Sequence, residues 1–345
     1  MNRIILILFF VFSGLSSRSS FAQTTLAKGE QPQMTVDGRG VIRVTYGVEN
    51  KIFFATSLDK GSTFSQPVLV GEVAGMHLGM TRGPQLASSK DFSMITAMDK
   101  QGNIHSFRLS HKSGSWEKVG NVNDIAGSAP EGLMSVAADD HNNFYAVWLD
   151  LRQNHRNNIC FSTLKNGSSA WGKNNFVYTS PESHVCECCK PSIAVKGDKV
   201  SIMFRNWLRG SRDLYLMTSS DAGKTFSEAS KLGNGTWVLQ GCPMDGGGVV
   251  VDKNNNIHTA WQRERIVFYV DPGSAEQKIG EGRSVGMTGD LVTWDNGSNL
   301  VAQRVNGKQY VIGEGTALKV QELKDKTILA IWEHNGEIVF RKIQS

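Results

Sequence analysis

The chain has 345 residues, a formal net charge of +5 and 40% hydrophobic residues. A balanced to slightly basic charge of this size does not suggest a nucleic-acid-binding protein. With 36 Gly against 8 Pro and no low-complexity linker, a single turn-rich globular domain over 23–345 is expected.

The N-terminus comes first. Arg3, the apolar run Ile4 to Phe12 and the small-x-small site Ser20-Phe21-Ala22 before Gln23 read as an export signal over 1–22 that is removed. The run is too short to cross a bilayer, and no later segment is long and apolar enough. A secreted or periplasmic protein without a membrane span is therefore expected.

From Gln33 onward the chain repeats one phrase. A short apolar strand is followed by an Asp/Asn/Gly turn, a second strand often ending in an aromatic, and a third strand. Gln33 to Gly38 leads to Val41–Tyr46 and Ile52–Thr56; Pro84 to Leu86 leads to Phe92–Met98 and Ile104–Leu109. The phrase returns at Leu133, Pro191 and Gly248, and two shorter units follow around Leu291–Trp294 and Leu318–Phe340. The strands alternate or are wholly apolar over four to eight residues, and no helical period is sustained. Units of ~40–55 residues that cannot bury both faces alone predict a closed all-β propeller of six or seven blades. The N-terminal residues are expected to complete the last blade.

Two turns carry a sharper signature. Ser57-Leu58-Asp59-Lys60-Gly61-Ser62-Thr63-Phe64 and the stretch Ser220-Asp221-Ala222-Gly223-Lys224-Thr225-Phe226 resemble the Asp-box, in which a carboxylate collects backbone N–H groups and Gly takes the strained φ. The turns are structural. Over essentially the whole mature chain they resemble the sialidase-like, Asp-box (BNR repeat) β-propeller family, which includes sialidases and non-enzymatic relatives. Met203-Phe204-Arg205-Asn206 followed by Arg212 is similar to that family's central blade, so the resemblance implies a carboxylate-binding role for Arg205. Glu187 is the shifted counterpart of the family's Glu. The nucleophilic Tyr has no counterpart, because Ala317 or Leu318 stands there, and Gln31-Pro32-Gln33 replaces an Arg-Ile-Pro opening.

In a propeller the start of each first strand, the end of the second and the start of the third share one face. Those slots hold Arg82, Glu131, Cys188-Cys189-Lys190, Cys242 to Asp245, Arg283, Ala317, Asp150, Arg152, Arg205, Arg263, Arg265, Glu333-His334 and Arg212-Asp213. Arg82, Arg152, Arg205, Arg212, Arg263 and Arg283 are the candidate ligand-binding set, since guanidinium forks suit carboxylates. The competing reading is that they pair with neighbouring acids, such as Asp150 with Arg152, and tie blades together. Glu131, Asp150 and Glu187 are the candidate acid/base carboxylates for glycoside hydrolysis.

Four of the five Cys are grouped: Cys186, Cys188, Cys189 and Cys242, with His184 and Met244 beside them. Disulfides between blades 4 and 5 are one reading. A soft-ligand site for copper or zinc is another, and free or catalytic thiols a third. Cys160 reads as a buried apolar residue. The leading expectation is recognition, with or without hydrolysis, of an anionic small molecule or glycan. The alternatives are a soft-metal-binding protein and an interaction platform without chemistry.

Overall fold

A computed structural model describes residues 23–344, so the expected export signal lies outside the described residues. Twenty-eight strands form seven four-stranded antiparallel sheets, and no helix appears among the described residues. Blades 1 to 6 run over 30–72, 85–121, 134–178, 192–231, 248–281 and 283–313, each with its strands in chain order from the axis outward. Blade 7 takes its three inner strands from 316–343 and its outermost strand from Thr24–Lys28, which pairs with Glu337–Ile343. The ring is thus closed by the N-terminus, as the repeat phase predicts. The two short units are complete blades.

The middle strands show why the phrase is so apolar. Phe144–Asp150 is buried at every position because both of its faces are covered. Tyr145, Val147 and Leu149 pack with Val200, Ile202 and Phe204 of blade 4. Ala146 and Trp148, on the opposite face, pack with Met98 and Ile104 of blade 2. Period 2 along the strand therefore distributes one sequence between two interfaces. Propeller stability resides in these inter-blade cores.

The two Ser-x-Asp turns join the third and fourth strands of blades 1 and 4. Asp59 accepts from the Ser57 hydroxyl at 2.7 Å, the Thr63 amide at 2.9 Å and the Thr63 hydroxyl at 2.6 Å. Asp221 repeats this with Ser219 and Thr225, so the motif's serine is Ser219 and the phrase begins one residue before Ser220. The aromatic after each turn reaches the preceding blade, Phe64 to Phe340 at 4.9 Å and Phe226 to Phe161 at 5.2 Å.

Closure by Thr24–Lys28 leads to a first expected result. A chain starting at Gly29 exposes the edge of Glu337–Ile343 and uncovers the core that Leu26 and Ala27 pack against. Thermal unfolding is expected to show a loss of about 3 kcal/mol, or about 4–5 °C in Tm, with increased self-association through the open edge. An unchanged Tm would mean that the strand contributes nothing to closure.

Candidate functional site

The first strands of the seven blades line a central cavity of about 810 Å³. Its mouth lies on the face predicted from the slots. Blades 6, 7 and 1 each begin with a bulge there, built on a left-handed residue: Ser284 (φ 56°), Ala317 (φ 54°) and Gln31 (φ 54°). Each bulge interrupts the alternation of its inner strand and resets which side chains face the axis.

Two lysines reach into this space. Lys190 precedes the inner strand of blade 4 and donates to Gln85 Oε1 of blade 2 at 3.2 Å, across the mouth of blade 3. Lys319 lies just past the blade 7 bulge and lines the same cavity. Neither makes an ion pair among the described residues. Burial pushes Lys190 down to about 7, with the nearby Lys319 charge adding to the effect, and burial pushes Lys319 down to about 8. Arg283 also lines the cavity and is exposed.

The lining carboxylates offset this charge weakly. Asp245 is buried, accepts from the Gly247 amide at 3.3 Å and the Val285 amide at 3.4 Å, and is held above the usual Asp range by burial. Glu333 accepts the Gln31 amide at 3.1 Å and is likewise raised by burial. The loop bearing Asp245 crosses so closely over blade 4 that a Cβ on Gly246 would collide with the Lys190 carbonyl. That crossing fixes the backbone from which Lys190 projects.

The arginines are placed differently from the expected Arg-lined mouth. Arg205 is buried, with its guanidinium donating to the carbonyls of Asp245 (3.0 Å), Arg212 (2.7 Å) and Gln262 (3.0 Å). It is a strut between blades 4 and 5, with Nε, Nη1 and Nη2 each donating to a backbone carbonyl. Arg152 is held by Asp150 at 2.8 Å and by Asp124, the blade-tying reading. Arg263 forks onto Glu276 with two 2.6 Å contacts. Arg212 stacks on Trp207 and does not pair with Asp213, whose carboxylate takes the Trp237 amide and approaches Lys231. Arg82 donates to the Glu131 carbonyl at 2.6 Å. Of the six, Arg283 alone faces the cavity.

The expected carboxylates do not line the cavity either. Asp150 is fully buried and saturated by Ser128, Trp148 and Arg152. Glu131 and Glu187 are neighbours at the blade 3–4 rim. Burial raises Glu131 and the Glu187 charge adds to the rise, while Arg82 opposes it. Glu187 also receives the Asn157 amide at 3.2 Å.

The four clustered cysteines do converge. Cys188 and Cys242 form a disulfide between blades 4 and 5, while Cys186 and Cys189 are free and buried. The sulfurs of Cys186, Cys188 and Cys189 are mutually close. His184 stands apart, stacked on Trp207, and Met244 faces the axial cavity. Cys160 is buried as expected.

No protein-family model and no curated protein matches this chain. Solved structures do. A lectin from Burkholderia pseudomallei superposes with a TM-score of 0.59 at 8% identity, over 92% of this chain and 99% of that one. Virginiamycin B lyase from Staphylococcus aureus gives 0.56 at 9%, over 94% and 99%. A Hadza microbial sialidase gives 0.50 at 12% and covers 92% of this chain, which spans 66% of the sialidase. The likeness is one of fold. At these identities it carries over no site residue.

Proposed function

We propose that this protein is a glycan-binding propeller whose axial cavity takes an anionic sugar, with Lys190 and Lys319 receiving its acidic group. The observation that carries the reading is the pair of lysines converging in a cavity of sugar size without a carboxylate partner. Two like charges held together out of bulk water are costly, and an anion placed between them removes that cost. Gln31, Gln85 and Ser284 add neutral polar groups at the same mouth. A lectin and a sialidase among the structural neighbours support sugar recognition on this architecture, and the export signal expected from Ile4 to Phe12 and Ser20-Phe21-Ala22 accords with a ligand met outside the cytoplasm. Recognition rather than glycoside hydrolysis is favoured. The lining pair Asp245 and Glu333 is tied to backbone amides, and Ala317 stands where the resemblance requires a Tyr.

The test is a glycan panel containing uronic, sialylated, sulfated and neutral members, read at pH 6 and pH 9. The lysines titrate at about 7 and about 8 in the free protein, and an anion binds their protonated forms. Binding is therefore strongest well below pH 7 and is lost progressively as pH rises through 7 and 8. Acidic glycans are expected to bind at least about tenfold more tightly at pH 6 than at pH 9, one pKa unit corresponding to a factor of ten. Binding that is independent of pH, or restricted to neutral sugars, would refute the lysine assignment.

A further inference from the structure

Beside the axial cavity lies a second cluster with chemistry of its own. Cys186 Sγ is 3.7 Å from Cys188 Sγ, which is bonded to Cys242, and 3.5 Å from Cys189 Sγ. Arg212, propped on Trp207 at 4.5 Å and donating to the Leu239 carbonyl, brings Nη1 to 3.0 Å from Cys186 Sγ. Burial is graded along the chain of sulfurs. Cys189 and Cys186 are buried, Cys188 is half-buried and Cys242 is exposed at the end of the loop 233–241.

We propose that this cluster is a thiol–disulfide exchange centre, in which Cys186 attacks Cys188 and releases Cys242 as an exposed thiol able to exchange with an external disulfide. A guanidinium against a buried sulfur has one evident use, which is to hold that sulfur as a thiolate. Contact with Cys189 and the charges of Arg212 and Arg205 keep Cys186 below the ordinary thiol range against the opposing effect of burial. Burial and the Cys186 charge keep Cys189 above it. The pair thus shares one thiolate, resting on the sulfur that adjoins the disulfide.

The step balances without an outside oxidant. Cys186 gives its proton to solvent, the Cys186–Cys188 bond forms, the Cys188–Cys242 bond breaks, and the Cys242 thiolate takes up a proton at the surface. One disulfide and two thiols exist before and after. A second exchange, Cys189 onto Cys186, moves the disulfide wholly inside and frees Cys188 as well. A purely structural staple would need neither the third and fourth sulfurs nor the arginine.

The test is alkylation of the unreduced, full-length mature protein with N-ethylmaleimide at pH 7, followed by non-reducing peptide mapping over several hours. Label is expected on Cys242, with Cys186 recovered in a disulfide to Cys188 or Cys189. In Cys186→Ser the Cys188–Cys242 bond is expected to persist and Cys242 to stay unlabelled, with folding checked by circular dichroism. Arg212→Gln keeps all five cysteines and is expected to slow Cys242 labelling about tenfold at pH 7, recovering at pH 9, where the thiolate no longer needs the guanidinium. Three outcomes overturn the proposal. Cys242 could stay unlabelled in the unaltered protein, which makes the bond an inert staple. It could be labelled equally in Cys186→Ser. Or stoichiometric copper or zinc could accompany four thiols that react only after chelation, which makes the cluster a metal site.

Discussion

Replacing Arg205 by Met is expected to lower stability by about 3–5 kcal/mol, because it removes a buried charge-assisted donor and leaves three carbonyls without a partner. In thermal unfolding this corresponds to a fall in Tm of about 4–7 °C. The carbonyls of Asp245, Arg212 and Gln262 belong to blade 4, blade 5 and the loop between them, so the loss falls on the blade 4–5 junction. Arg283→Met is the matched control. Its side chain is exposed, without an ion pair among the described residues, and its effect on stability is expected to stay below about 0.5 kcal/mol. If Arg205→Met kept its Tm and lost ligand binding, Arg205 would return to the carboxylate-binding role that its motif resembles.

The double variant Lys190→Met with Lys319→Met is expected to move stability and function in opposite directions. Both ammonium groups are desolvated and without an ion pair among the described residues, and the Lys319 charge acts on Lys190. Methionine keeps the volume and removes the charge, so Tm at pH 6 is expected to rise by about 2–4 °C. The gain is expected to shrink toward pH 9, where the native lysines are already neutral in the folded chain. Binding of an acidic glycan is expected to weaken by about a hundredfold or more, since each desolvated charge-assisted contact contributes about 1.5–3 kcal/mol. Calorimetric titration at pH 6 with a glycan selected from the panel measures the loss. Retained affinity would show that the axis is not the site.

The contrast between these variants also shows what the sequence made legible. Blade phase and the closing N-terminal strand follow from turn residues and apolar periods, because each unit's hydrophobic pattern must cover two interfaces, while the blade count was narrowed only to six or seven. The face of the mouth followed too, since it depends only on strand order. Side-chain direction at the mouth did not. Ala317 takes a left-handed φ and inserts a bulge, and one extra residue flips every position after it. Lys319, read by strict alternation, therefore gave no sign of facing the axis. Lys190 stood in a recognised slot but was overshadowed by the adjacent cysteines.

The arginines were misleading for a related reason. A guanidinium near a strand end can bind a ligand or a neighbour, and composition does not separate the two. Asp150 and Arg152, two residues apart, already contained the answer, because an acid so close satisfies the fork locally. Glu276, thirteen residues after Arg263, could be paired with it only once the blade was folded. The cysteine cluster was visible as a cluster, but its division into one bond and two thiols depended on which sulfurs the blade 4–5 crossing brings face to face.

The location of a bound acidic sugar tests the central claim most directly. A diffraction map of the protein crystallised at pH 6 with the tightest acidic glycan of the panel is expected to place the acidic group on the axis, within hydrogen-bond distance of both Lys190 Nζ and Lys319 Nζ. The ring is expected to lie toward Gln31 and Gln85. Density for the sugar between the outer strands of adjacent blades, with the axial cavity holding only water, would contradict the account.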